Sequence, residues 1–187
     1  GWLYDKGQGV QQDLEEAAKW FSMAAEQGNI RAQYDLGVRY DRGQGVVRDY
    51  SEAAKWFRMA AEQGDPKAQR LLGWLYDKGQ GVQQDLEEAA KWWRMAAEKG
   101  DKYAQNALGR YYIERFGYED YEEATKWLRM AAEQGFGPAQ GTLGRLYGKG
   151  SGVSQDYVSA YMWFSLAEKN GHKKASQYRG EMAKKMT

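Results

Sequence analysis

Residues 68–101 read "AQRLLGWLYDKGQGVQQDLEEAAKWWRMAAEKGD" and hold two apolar periodicities separated by a glycine-rich hinge. In the first half Ala68, Leu71, Leu72, Leu75 and Tyr76 fall at i, i+3, i+4, i+7 and i+8, the spacing of one helical face (helix A). Ala89, Trp92, Trp93, Ala96 and Ala97 repeat that spacing in the second half (helix B), where Glu87 precedes Lys91 by four residues as a favourable exposed pair. Asp65-Pro66 predicts an N-cap followed by a first-turn proline, and Asp85 predicts the cap of helix B. Gly64 and Gly100 follow helical segments where a left-handed cap is wanted, while Gly79 and Gly81 let helix A stop and turn. Gly73 lies inside helix A, where glycine costs about 1 kcal/mol relative to alanine. Close approach of a neighbouring helix is therefore expected there, with Trp92 filling the remaining space between layers.

This pair of helices recurs along the chain. Tryptophans at 20, 56, 92, 127 and 163 are spaced by 36, 36, 35 and 36 residues, and glycines at 1, 37, 73, 109 and 144 keep step with them. Residues 1–20 are identical to residues 73–92. No single pair can bury its apolar face, whereas stacked pairs share a continuous core, so the sequence repeats because the packing repeats. The predicted organisation is one all-α array: a truncated first repeat over 1–28, repeats over 29–64, 65–100, 101–135 and 136–171, and a terminal helix over 172–187. Gly1 falls halfway through a helix A, which implies a missing upstream half. Glu168, Arg179 and Ala183 replace apolar residues of the repeat, as suits a terminal cap.

Composition narrows the function. The 27 Lys and Arg against 26 Asp and Glu leave a formal charge of +1, without the strong field of a general nucleic-acid or anionic-membrane binder. Cysteine is absent, which removes disulfides, thiolate nucleophiles and cysteine-ligated metals. No apolar run approaches the roughly 20 residues needed to cross a bilayer, so a soluble chain without direct membrane insertion is expected. The compartment stays open between cytoplasm, periplasm and secretion, and so does the oligomeric state.

Candidate chemistry is sparse. His172 is the lone histidine, placed after the glycine that closes a helix B, and reads as a surface or capping residue. "GKGSGV" around Lys149 lacks the Gly-Lys-Ser/Thr of a phosphate loop and has helical flanks. Glu15-Glu16, Glu87-Glu88 and Glu122-Glu123 recur at helix starts, which fits dipole compensation. The aromatic columns, the tryptophans above and Tyr4, Tyr40, Tyr76, Tyr112 and Tyr147, read as core. No catalytic residue, metal or cofactor is assigned.

The recurring "LGxxY", "GxGV", aspartate before helix B, "AxxW" and "AAEQG" resemble the Sel1-like repeat, a relative of the tetratricopeptide repeat. The resemblance covers nearly the entire chain and implies a right-handed α-solenoid of repeats of about 36 residues, serving as a bacterial protein-interaction scaffold or adaptor. It also implies, for some members, neutralisation of a secreted toxin or effector as an immunity protein. A cysteine-rich branch associated with β-lactams supplies the rival reading, a hydrolase acting on a cell-wall or β-lactam-like substrate, although this chain lacks the cysteines. Arg115, Phe116, Gly117 and Tyr118 depart from the "GQGV" pattern.

Binding residues are expected where repeats differ. The face of helix A opposite its apolar stripe carries Tyr34, Val38 and Asp41, then Arg70, Trp74 and Asp77, then Asn106, Arg110 and Ile113, and finally Arg145 between Gly141 and Gly148. By the resemblance, this stripe lines the concave groove. Exposed Tyr34 and Trp74 as anchors, with arginines beside them, predict an acidic, partly apolar peptide or protein partner and no nucleic acid.

Overall fold

The computed structural model describes residues 1–9, 11–116 and 121–186. Among them are eleven helices and no strand: α1 (Trp2–Lys6), α2 (Leu14–Glu26), α3 (Ile30–Arg42), α4 (Tyr50–Glu62), α5 (Pro66–Lys78), α6 (Leu86–Glu98), α7 (Lys102–Phe116), α8 (Tyr121–Glu133), α9 (Gly137–Lys149), α10 (Tyr157–Lys169) and α11 (Ala175–Lys185). The chain divides into two compact units, residues 1–96 and 97–187. Within each unit, helices adjacent in sequence pack on one another, α1 through α5 in the first and α7 through α11 in the second.

Many of the helix ends have a local cause. The Asp65 carboxylate accepts the Ala68 N–H at 2.7 Å with Pro66 in the first turn, and Asp85 accepts the Glu87 and Glu88 N–H groups at 3.0 and 2.9 Å. Asp13, Asp49, Asp101, Asp156 and Asn29 act in the same way, and each such cap is worth about 1 kcal/mol. Gly79 closes α5 with φ of 63°, a conformation that costs glycine nothing. Arg115 stands where other repeats have that closing glycine and Phe116 follows it, and α7 continues through both to 15 residues instead of the 13 of α3, α5 and α9. Gly117 and Tyr118, the rest of this irregular stretch, lie outside the described residues.

The predicted faces form the core. Ala68, Leu72 and Leu75 join Ala53, Phe57 and Ala60 in one buried cluster, with Leu71 and Tyr76 half-buried against it. A matching cluster in the second unit contains Leu128, Ala131, Ala139, Leu143 and Leu146. Alanine at the crossings lets the helices approach closely.

Among the glycines inside helices Gly73 shows the closest approach, but its partner differs from the expected one. A Cβ built there would lie 2.5 Å from Trp93 Nε1, so Trp93, and not Trp92, fills the space over the glycine. The same match recurs at Gly37 with Phe57, Gly109 with Leu128 and Gly144 with Phe164, at 2.6, 2.6 and 2.8 Å. The residue after each tryptophan is thus the one that fits the notch. The tryptophan column is consequently more variable than a core column: Trp56 and Trp127 are buried, Trp92 and Trp163 half-buried, and Trp20 is 47% exposed. The tyrosine column is half-buried throughout.

A buried glutamine stitches each repeat to the turn before it. Gln33, Gln69, Gln105 and Gln140 donate to the carbonyls of Ala25, Ala61, Ala97 and Ala132 at 2.9–3.1 Å. The side-chain oxygens of Gln33, Gln105 and Gln140 accept from Gln63, Gln134 and Asn170 at 2.8, 2.8 and 3.0 Å, which ties the start of helix A to the end of helix B within one repeat. At the far end, Glu168 and Arg179, the two polar departures of the last repeat, pair with each other at 2.7 Å.

Candidate partner-binding site

In the second unit, the core of each helix A fixes what its other face presents. Ala104, Leu108 and Gly109 are buried, which turns Asn106, Arg110 and Ile113 (i, i+4, i+7) along the opposite side of α7. On α9, Pro138, Thr142 and Arg145 have the same spacing. Together these residues, with Glu114 and His172, line a cleft of about 420 Å³. Four of the residues expected at a groove, Asn106, Arg110, Ile113 and Arg145, are thereby brought together in one place.

His172 is neither an exposed surface residue nor a side-chain cap. Its ring is half-buried, its Nδ1 is buried without a hydrogen-bond partner, and α11 starts later, at Ala175. The ring packs over Gly141, where an added Cβ would sit 3.1 Å from His172 Nε2, a tight contact that would have to be eased by a few tenths of an ångström. Gly148 makes the same kind of space for Met182, at 3.1 Å from its Sδ. Glycines at these two variable positions therefore serve packing and not contact with a partner.

The polar groups of the cleft are unevenly satisfied. Asn106 Oδ1 is buried with no partner. Arg110 donates to Glu114 at 3.0 Å, but with 60% and 68% of the two side chains exposed the pair is worth little and can exchange. Arg145 reaches only the Thr142 hydroxyl, at 3.5 Å, and forms no ion pair among the described residues. Two arginines with a buried, unpartnered acceptor beside them suit a ligand that brings both an anion and an N–H donor.

The first unit carries the remaining predicted residues on α3 and α5. Tyr34, expected as an exposed anchor, is half-buried, with its ring 6.2 Å from Phe57 and Arg31 5.9 Å from its centroid. Burial pushes its phenol up, against the pull of the Arg70 charge. Val38 also packs partly against the core, and burial pushes the Asp41 carboxyl up although Arg42 and Arg48 oppose it. Arg70 stacks 4.8 Å from the Trp74 ring, which remains 37% exposed, and Asp77 pairs with Lys78 at 2.7 Å. Arg70 and Trp74 thus form a ready cation–π platform.

One polar contact in this unit had no sequence signal beyond a broken column. Arg39 stands where the other complete repeats have Leu75, Tyr111 and Leu146, and is 4% exposed. Its guanidinium pairs with Asp5, donates to the Gln44 carbonyl at 3.2 Å and lies 4.8 Å from the Phe21 ring centre. Burial works against ionisation of Asp5, but hydrogen bonds from Lys6 and Arg39 outweigh it and hold the carboxyl below its ordinary value. Among the described residues no group of three or more His, Asp or Glu could hold a metal ion, and no helix is long and apolar enough to cross a membrane.

Helix pairs repeated along each unit and packed through recurring buried positions define a helical-repeat scaffold of the protein-interaction type. The model of the Sel1 repeat matches residues 1–29, 30–65, 66–101, 102–136 and 138–172, and the chain belongs to this family. It is similar to c5321, a protective antigen of uropathogenic Escherichia coli with an SLR fold, at 37% identity and a TM-score of 0.92; the match covers 97% of this chain and 39% of that one. This chain thus spans well under half the length of that relative. A Sel1 repeat protein from Oxalobacter formigenes is 42% identical with a TM-score of 0.86, over 91% of this chain and 70% of the other. No functionally curated protein matches the chain.

Proposed function

We propose that the chain is a non-enzymatic binding scaffold that recognises a peptide or protein through the variable faces of its A helices. The observation that carries this reading is the segregation of constant from variable positions. Glycine notches, alanine crossings and buried glutamines recur in repeat after repeat, whereas the columns that hold Asn106, Arg110, Ile113 and Arg145 change along the chain, and these four side chains meet at one cleft. Half-buried Arg70 and the partly exposed Trp74 on α5 add a stacked pair of the residue types that dominate binding hot spots. Within this reading, a secreted toxin or effector is the partner class that an immunity role requires, and a single stoichiometric partner would distinguish it from a general adaptor.

The test is paired affinity capture from lysate and secretome, with the chain and a variant carrying Trp74→Ala, Arg110→Ala and Arg145→Ala as baits. A partner retained by the first and lost by the second, with both folded by circular dichroism, supports the reading. Equal recovery by both baits contradicts it.

A further inference from the structure

The cleft between α7 and α9 has a chemistry more specific than general partner binding. Its two cations come from successive repeats, one in an exposed, exchangeable pair and the other without an anionic partner among the described residues. Asn106 and His172 both line it, and Asn106 Oδ1 and His172 Nδ1 are buried without hydrogen-bond partners, so a side-chain turn that lets Asn106 meet a bound N–H would recover a lost bond. Ile113 and Pro138 add apolar surface beside these groups. A free inorganic anion would use the arginines only, leaving the asparagine acceptor and the apolar wall unused. A carboxylate attached to a peptide uses all of them.

We propose that this cleft seats an extended peptide segment of the partner through an acidic side chain, with Arg110 and Arg145 taking the carboxylate and Asn106 Oδ1 accepting an adjacent main-chain N–H. Arg110 exchanges Glu114 for the ligand carboxylate and Glu114 is released to solvent; because that pair is largely exposed, little is lost when it opens. The inference rests on the scaffold reading above and specifies which segment of the partner the second unit reads.

The test is selection of a random peptide library, displayed with its C-termini fused so that only side-chain carboxylates are available, on the full chain. An enriched sequence is then synthesised beside its twin with Asp→Asn or Glu→Gln, and both are titrated calorimetrically against the chain, Arg145→Ala, Arg110→Ala and Asn106→Ala. Enrichment of acidic peptides, a loss of about tenfold to a hundredfold for the amide twin or for Arg145→Ala, and no further loss when the two are combined are expected for a shared charge-assisted contact. Peptides that bind but are indifferent to amidation and to both arginine substitutions overturn the inference while leaving peptide binding intact. Failure to enrich any peptide on the folded chain also overturns it, and the paired capture then decides the broader scaffold reading independently.

Discussion

Substituting alanine at Gly73 should reverse the usual effect of this change in a helix. Propensity alone favours alanine by about 1 kcal/mol. At this position, however, the new Cβ would lie 2.5 Å from Trp93 Nε1, 2.6 Å from Trp93 Cδ1 and 3.1 Å from the Ala89 carbonyl oxygen, whereas ordinary contact begins at 3.4 Å. Relieving that overlap requires α5 and α6 to separate or Trp93 to leave its rotamer, an overpacking cost of about 1–3 kcal/mol. The net expectation for Gly73→Ala is a loss of up to about 2 kcal/mol in urea unfolding followed by far-ultraviolet circular dichroism. Trp93→Ala should itself cost about 3–5 kcal/mol. In that background two of the three overlaps vanish, and Gly73→Ala should become neutral or stabilising. Gly180, inside α11 with nothing within 4 Å of its missing Cβ, is the control: Gly180→Ala should stabilise its helix. If Gly73→Ala stabilises the parent chain, or acts identically with and without the Trp93 ring, the notch account is wrong.

Gln105→Leu should destabilise the second unit by about 1–3 kcal/mol, because Gln134 loses its acceptor and an aliphatic side chain cannot donate to the Ala97 carbonyl; stability matching the parent in urea would show that the glutamine stitch is dispensable. The depressed Asp5 carboxyl predicts a pH effect: stability from its pair with Arg39 is present above the ordinary carboxylate range near 4 and is lost as pH falls through the lower folded value. Unfolding midpoints across acidic pH should therefore fall less steeply in Asp5→Asn than in the parent, and parallel curves would refute the assignment. Gly81→Ala should be among the most damaging single changes, since φ is +69° and the new Cβ would lie 2.1 Å from the Tyr50 carbonyl carbon; unaltered thermal unfolding would contradict that packing. Asp85→Ala should cost about 1 kcal/mol through the lost cap of α6, read in the same denaturation experiment.

The fold was legible because its signals are local and repeated. Apolar spacing in residues 68–101, the aspartate caps and the left-handed glycines each specify helix, start or stop without reference to distant residues, and five repeats state the pattern over again. Which of two adjacent aromatics enters a glycine notch was not legible: Trp92 and Trp93 are about 100° apart on one broad apolar face, and only the crossing of α5 over α6 selects Trp93. The glutamine column at 33, 69, 105 and 140 was visible as a repeat, but a polar residue inside helix A gives no sign from sequence that a carbonyl eight residues earlier awaits it. At the candidate site, variation between repeats singled out Asn106, Arg110, Ile113 and Arg145, and the structure lines one cleft with these four. It missed Thr142, Pro138 and Glu114, and it misread His172, whose ring packs over Gly141. Tyr34 was placed on the correct helix, but its burial against Phe57 depends on the neighbouring α4.

Hydrogen–deuterium exchange of the chain alone and saturated with its captured partner tests the central claim most directly. The account predicts added protection in α7 and α9, centred on the turns that carry Asn106, Arg110 and Arg145, with α8 and α10 unchanged. Protection confined to α8 and α10, with α7 and α9 exchanging as in the free chain, would place recognition on the B helices and contradict it.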